Sequence, residues 1–189
     1  MTKIAKHVAL CLAIPLMLTG CFSTNTTSPA GTTSAYETAN FTINVPTDWE
    51  ILEKADFTSN VPASTIVAFR NNIKSDIFNA NLNILVENTS IKDLPDFVKS
   101  ATEITKNTLI SYQEIDTQNI EVPYGSTILP GIIVRFQGKQ TAPDSIIEFR
   151  QLFVINNGSV YTLTGAYLPD EDESVVNYIN EMINSFSLK

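Results

Sequence analysis

Ile147-Glu148-Phe149-Arg150-Gln151-Leu152-Phe153-Val154-Ile155 runs into Asn156-Asn157-Gly158-Ser159, and Val160-Tyr161-Thr162-Leu163-Thr164-Gly165-Ala166-Tyr167 follows. Two β-rich runs joined by Asn-Gly are the strongest hairpin signal in the chain, because both residues of a tight mirror-image turn need positive φ. Upstream, Tyr112 to Val122 and Gly131 to Gly138 read as two further strands joined by Pro123 to Pro130, so the hairpin closes an antiparallel meander. Downstream, Asp170-Glu171-Asp172-Glu173-Ser174 precedes Val175, Val176, Ile179, Met182, Ile183 and Phe186, an amphipathic helical stripe with an acidic N-terminus. That helix is expected to cover the hairpin strands.

Further out, Phe41-Thr42-Ile43-Asn44-Val45 alternates and stops at Pro46, as a first strand should. Trp49 to Leu52 follows the Pro46-Thr47-Asp48 turn as a second strand. Thr65 to Phe69 and the alternating run around Leu82, Ile84 and Val86 supply two more. The period then changes. Leu94, Phe97, Ala101, Ile104 and Thr108 share one helical face, Asp93 is placed to cap, and Pro95 is tolerable in the first turn, which predicts a helix over 94–109. Strands and helices are segregated, so the expected class is α+β, an antiparallel sheet meander flanked by helices.

The chain has 189 residues, 43% hydrophobic and 17% charged, with one His and two Cys. That is one ordinary domain plus a short appendage, too apolar for a disordered chain. His7, Cys11 and Cys21 all fall in the first 21 residues. There, Lys3 and Lys6 precede an apolar stretch from Val8 to Met17 and then Leu18-Thr19-Gly20-Cys21, the layout of a secretory signal. The stretch is about half of the roughly 20 residues a spanning helix needs. The Leu-Thr-Gly-Cys ending resembles the bacterial lipobox. That resemblance implies cleavage before Cys21 and a diacylglycerol on its thiol, with further acylation such as palmitate on the new amine. Two or more chains give a stable anchor where one does not. The alternative is an ordinary signal peptide with a nearby Cys.

The expected organisation is a lipoprotein signal at 1–20, lipidated Cys21 with a Ser/Thr-rich tether over 21–35, and a single domain at 36–189. The tether is uncharged and would reach about 45–50 Å fully extended. The expected location is the bacterial envelope, facing the periplasm. Phe22, standing where an Asp favours inner-membrane retention in Gram-negative families, tilts the expectation toward the outer membrane. Removing Lys3 and Lys6 from the twelve basic residues leaves ten against twenty acids, a balance of −10. Such a domain repels nucleic acid at long range, and no nucleic-acid partner is expected.

The chemistry is narrow once the signal is gone. No imidazole remains for a Ser-His-Asp triad, and an acylated Cys21 is no nucleophile. Structural zinc and haem ligation need Cys or His, and no Gly-rich phosphate loop with Lys-Ser/Thr is present. No cofactor, metal or catalytic residue is expected. The Asp170–Glu173 run lacks the Gly and Glu of an EF-hand and fits a helix N-terminus, with Asp172 or Asp170 as cap. A carboxylate-pair hydrolase survives only because twenty acids give many possible pairs. Three residues stand as weak ligand-binding candidates. Trp49 is either a ligand platform or a seal on the core edge. Arg135 and Arg150, pointing away from Val134, Phe136 and Phe149, either bind an anion or pair across strands with acids such as Glu148.

The opening Tyr36-x-x-x-x-Phe41-Thr42-Ile43-Asn44-Val45-Pro46-x-x-Trp49, with the middle helix, the meander around Asn157-Gly158 and the terminal helix, resembles the PsbP-like fold and, within it, the bacterial DcrB-related lipoproteins. The resemblance spans about 36–189. It implies an α/β/α sandwich in which the 94–109 helix forms the second helix layer. It also implies an accessory or scaffold role without an active-site motif. The function expected is therefore a non-catalytic envelope lipoprotein held to the membrane by its lipid and acting on an envelope protein partner. The alternative is a small-ligand or metal-binding envelope module.

Overall fold

The computed structural model describes residues 32–57, 61–73 and 75–189. The signal expected at 1–20, the lipidation at Cys21 and most of the tether lie outside the described residues. The chain order is β1 (Thr33–Glu37), β2 (Phe41–Pro46), β3 (Glu50–Glu53), β4 (Thr65–Arg70), β5 (Asn81–Asn88), α1 (Leu94–Thr108), β6 (Ile110–Tyr124), β7 (Thr127–Lys139), β8 (Ile147–Asn156), β9 (Ser159–Tyr167), α2 (Glu173–Ser185) and β10 (Ser187–Leu188).

All ten strands join one sheet in the order β1-β2-β10-β6-β7-β8-β9-β5-β4-β3. Alternation splits its side chains between two cores. From β7, Ile133 enters the core that α2 closes with Val175, Ile179, Met182 and Ile183. Its neighbours Ile132, Val134 and Phe136 enter the core that α1 closes with Leu94, Phe97 and Val98. The period-2 pattern thus gives the sheet two apolar faces and each helix one of them.

The sheet is strongly curled. The ring of Tyr36 on β1 stands edge-on to Phe69 on β4 at 5.3 Å, and its hydroxyl donates to Glu53 Oε1 on β3 at 3.3 Å. Strands from opposite ends of the order therefore meet. Helix α2 packs against β2 and β9, which are far apart in that order, so the sheet wraps around it. At the tightest approach Gly165 of β9 lies under Ile179, and a Cβ on Gly165 would overlap the Ile179 side chain.

Local signals act as their chemistry requires. Asn157 and Gly158 take φ of +50° and +78°, and Asn156 pairs with Ser159 across the turn. Asp93 accepts from the Asp96 backbone N–H at 3.0 Å to cap α1, and Asp172 accepts from the Ser174 N–H at 2.8 Å to cap α2.

Four expectations need correction. The sheet is mixed, not wholly antiparallel, because β10 runs parallel to β6 through Leu188 and Tyr124. The terminal helix is not the last element, since β10 follows it and slots between β2 and β6. Strand β1 begins at Thr33, inside the segment read as tether, because Thr33 to Ala35 pair with Pro46, Val45 and Asn44. The link expected over Pro123 to Pro130 is a two-residue turn at Gly125 and Ser126, with both prolines inside strands. Each proline falls where its strand has a neighbour on one side only. Pairing of β7 with β8 starts at Gly131, and pairing of β6 with β10 touches only Tyr124, so neither missing N–H interrupts a ladder. Among the described residues the architecture is thus mostly β, ten strands in a curled mixed sheet with two α-helices.

A candidate anion-binding row

Strand register builds one row of side chains across the α2 face of the sheet. Asp116 of β6 stands opposite Arg135 of β7, Arg135 opposite Arg150 of β8, and Arg150 opposite Gly165 of β9. The next row on the same face is Gln113, Gln137, Glu148 and Tyr167. These rows lie where the apolar core of Ile133, Leu152 and Leu163 gives way to polar side chains.

Two guanidiniums directly opposite each other on neighbouring strands repel. The surroundings relieve one of them. Arg135 donates from Nη1 to Asp116 Oδ2 at 2.9 Å. Burial works against its charge, yet Asp116 and Tyr167 outweigh burial and hold Arg135 above its ordinary value. For Arg150, burial and then the Arg135 charge push its proton affinity down. Among the described residues no carboxylate forms an ion pair with Arg150. Its Nε is buried without a hydrogen-bond partner, as is Asp116 Oδ1. The third arginine shows the contrast: Arg70 of β4 is bound through Nε and Nη2 to Glu50, its cross-strand neighbour on β3. Tyr167 borders the pair. Burial first, then the Glu148 charge, raises its phenol, while the two arginines pull it down, and its oxygen accepts from the Arg135 guanidinium.

The row can hold an anion. A half-buried guanidinium with an unpartnered Nε and no ion pair of its own binds a carboxylate or phosphate oxygen more strongly than a solvated one, because the competing water is reduced. Asp116 offsets one of the two guanidinium charges, which leaves one for a singly charged ligand group.

The sequence candidates divide. Arg135 and Arg150 come together, but the acid that pairs across strands is Asp116, bound to Arg135. Glu148 stands opposite Gln137 and Tyr167 instead. Trp49 is 5% exposed, within the α2-side core beside β3, so its indole faces are packed and it joins no site with the arginines. Sequence reasoning missed Asp116 and Tyr167. Tyr167 was within reach of a count from the Asn157-Gly158 turn, which fixes Arg150 opposite Gly165 and Tyr167 opposite Glu148. Among the described residues no group of three or more His, Cys, Asp or Glu is placed to hold a metal ion, and no helix is long and apolar enough to cross a membrane. Cys21 lies outside the described residues.

Comparison with solved structures settles the architecture. The chain superposes on the solution structure of cyanobacterial PsbP from Synechocystis sp. PCC 6803 with a TM-score of 0.58 at 15% identity, covering 89% of this chain and 98% of that one. The fold is PsbP-like. The crystal structure of LpqN, involved in cell envelope biogenesis of Mycobacterium tuberculosis, shares this PsbP-like architecture with a TM-score of 0.56 at 15% identity, over 86% of this chain and 87% of that one. No protein-family model and no curated protein matches the chain.

Proposed function

We propose that this chain is a lipid-anchored accessory domain of a bacterial cell envelope, of the DcrB-related kind, that works by binding a partner protein and not by catalysis. The observation that carries the binding part is Arg150, a half-buried guanidinium set opposite Arg135 and left without a carboxylate of its own. Two opposed guanidiniums cost stability in the free protein, and a partner's acidic group would offset that cost. The envelope setting is supported by the lipobox-like Leu18-Thr19-Gly20-Cys21 and by a PsbP-like fold shared with an envelope-biogenesis protein.

In-cell photo-crosslinking from Gln137, beside the arginine pair, tests the reading. It should trap a discrete envelope protein. Substrate turnover by the purified protein, abolished by a single carboxylate substitution, would contradict it. The anchor is tested separately: Cys21→Ala should move the protein from the membrane to the soluble fraction, and continued membrane fractionation would overturn the lipobox reading. The second reading is a free small carboxylate at Arg150. A thermal upshift with millimolar acetate, absent in Arg150→Gln, would favour it.

A further inference from the structure

The point where the tether enters the domain and an exposed apolar loop lie at the same end of the molecule. Thr32 Oγ1 is 3.2 Å from Thr47 Oγ1, and the Thr47 N–H donates to the Thr32 carbonyl at 3.0 Å. The next residue, Asp48, accepts at its carbonyl from the Asn72 side-chain amide. Asn72 opens the connection between β4 and β5, whose Ile73 and Ile77 are 69% and 64% exposed, the two most exposed large hydrophobic residues described. Hydrogen bonds brace this connection. Asn71 Oδ1 accepts from the Ile73 N–H at 3.1 Å, Asn79 Oδ1 from the Ser75 N–H at 2.8 Å, and Ser75 Oγ from the Ile77 N–H at 3.2 Å. Phe78 pins it to the α1-side core. These bonds hold the described residues on either side of position 74 while Ile73 and Ile77 face outward, and such apolar surface is stabilised when another apolar surface covers it.

We propose that Ile73 and Ile77 are a membrane-contact element that seats the domain on the lipid surface, tether end down. The inference rests on the reading of Cys21 as the lipid-bearing residue. From Cys21 to Thr32 the chain spans at most about 36–40 Å extended and about 18 Å as a coil. The Thr32 end is therefore confined near the headgroups, and a weak apolar contact there acts at high effective concentration. The domain is acidic, so attraction to anionic lipid is not the driving force and a zwitterionic surface suffices. Ile128, 57% exposed in the strand after the β6–β7 turn, serves as the control. That turn is bonded to Leu188 near the C-terminus, and Lys189 is bonded to Glu37 at the far end of β1 from Thr33.

The test places an environment-sensitive thiol label on the full chain by Ile77→Cys or by Ile128→Cys, with phosphatidylcholine vesicles carrying brominated acyl chains. The label at 77 should shift to the blue and lose intensity to bromine quenching, and the label at 128 should do neither. Ile73→Asp with Ile77→Asp should lower vesicle partition of a chain carrying Cys21→Ala by about tenfold or more, and Ile128→Asp should leave it unchanged. Equal behaviour of the two labels, or partition indifferent to the Ile73 and Ile77 changes, would overturn the proposal. Flotation of the unlabelled chain reports the anchor by itself. A chain that does not float refutes the Cys21 reading, while the partition of the Cys21→Ala chain still decides the loop.

Discussion

Arg150 on β8 stands directly opposite Arg135 on β7, and among the described residues only Arg135 of the two makes an ion pair, with Asp116. An arrangement kept for binding costs stability in the free protein, so removing the unpaired charge should help the fold while harming the function. Arg150→Leu is expected to stabilise by about 0.2–1 kcal/mol in urea unfolding. Asp116→Asn leaves both guanidiniums unopposed and should destabilise by about 1 kcal/mol, a modest figure because the pair is partly solvated. That loss should shrink in high salt. A destabilised Arg150→Leu protein would mean that the guanidinium serves the fold.

Gly165 sits beneath Ile179 with no room for a methyl group. Gly165→Ala should cost about 1–3 kcal/mol, the range for overpacking a dense core. Combined with Ile179→Ala, which removes the Cγ2 that meets the new methyl, the two losses should be less than additive. Additive losses in the double mutant, measured by chemical denaturation, would contradict this account of the helix–sheet contact.

Two positions of positive φ should respond in opposite directions. Gly158 has φ +78°, so Gly158→Ala places a Cβ in the left-handed region and should cost about 1–2 kcal/mol. Ser111, at the start of β6, holds φ +57° with a Cβ already present. Ser111→Gly relieves that strain, an expected gain of about 0.5–1 kcal/mol less the entropy glycine adds to the unfolded chain. Thermal melts of both variants check the signs.

Asp172 is expected to make the stability of helix α2 depend on pH. Its side chain accepts from the Ser174 hydroxyl at 2.5 Å and the Ser174 N–H at 2.8 Å, and these bonds lower its carboxyl below the ordinary value. A carboxyl lowered on folding contributes stability that is present above the unfolded value, about 3.9, and is lost as pH falls through the folded one. Asp172→Asn should therefore flatten the acid limb of the stability curve below about pH 4 and change little of its shape near neutrality. An acid limb of unchanged slope would remove this role.

Much of the fold was legible because local chemistry decided it. Asn157-Gly158 dictated one hairpin, Asp93 and Pro95 marked the start of α1, and the alternation at Phe41, Ile43 and Val45 marked β2. What stayed hidden depended on distant contacts. Ser187 and Leu188 carry no strand signal of their own and become β10 only because β2 and β6 leave a gap there. Pro123 and Pro130 looked like breakers because a sequence does not say which strand edges are open. The arginine row was half readable. The tight turn fixes Arg150 opposite Gly165, but placing Arg135 opposite Arg150 requires the geometry of residues 140–146, which is no standard two-residue turn.

The most direct measurement is the yield of crosslinked partner from Gln137 in cells, compared between the native chain and Arg150→Gln at matched expression and fold stability. Loss of one charge-assisted contact should lower that yield about tenfold or more, while membrane fractionation stays unchanged. An undiminished yield of the same crosslinked protein would contradict a partner-binding role for the arginine pair.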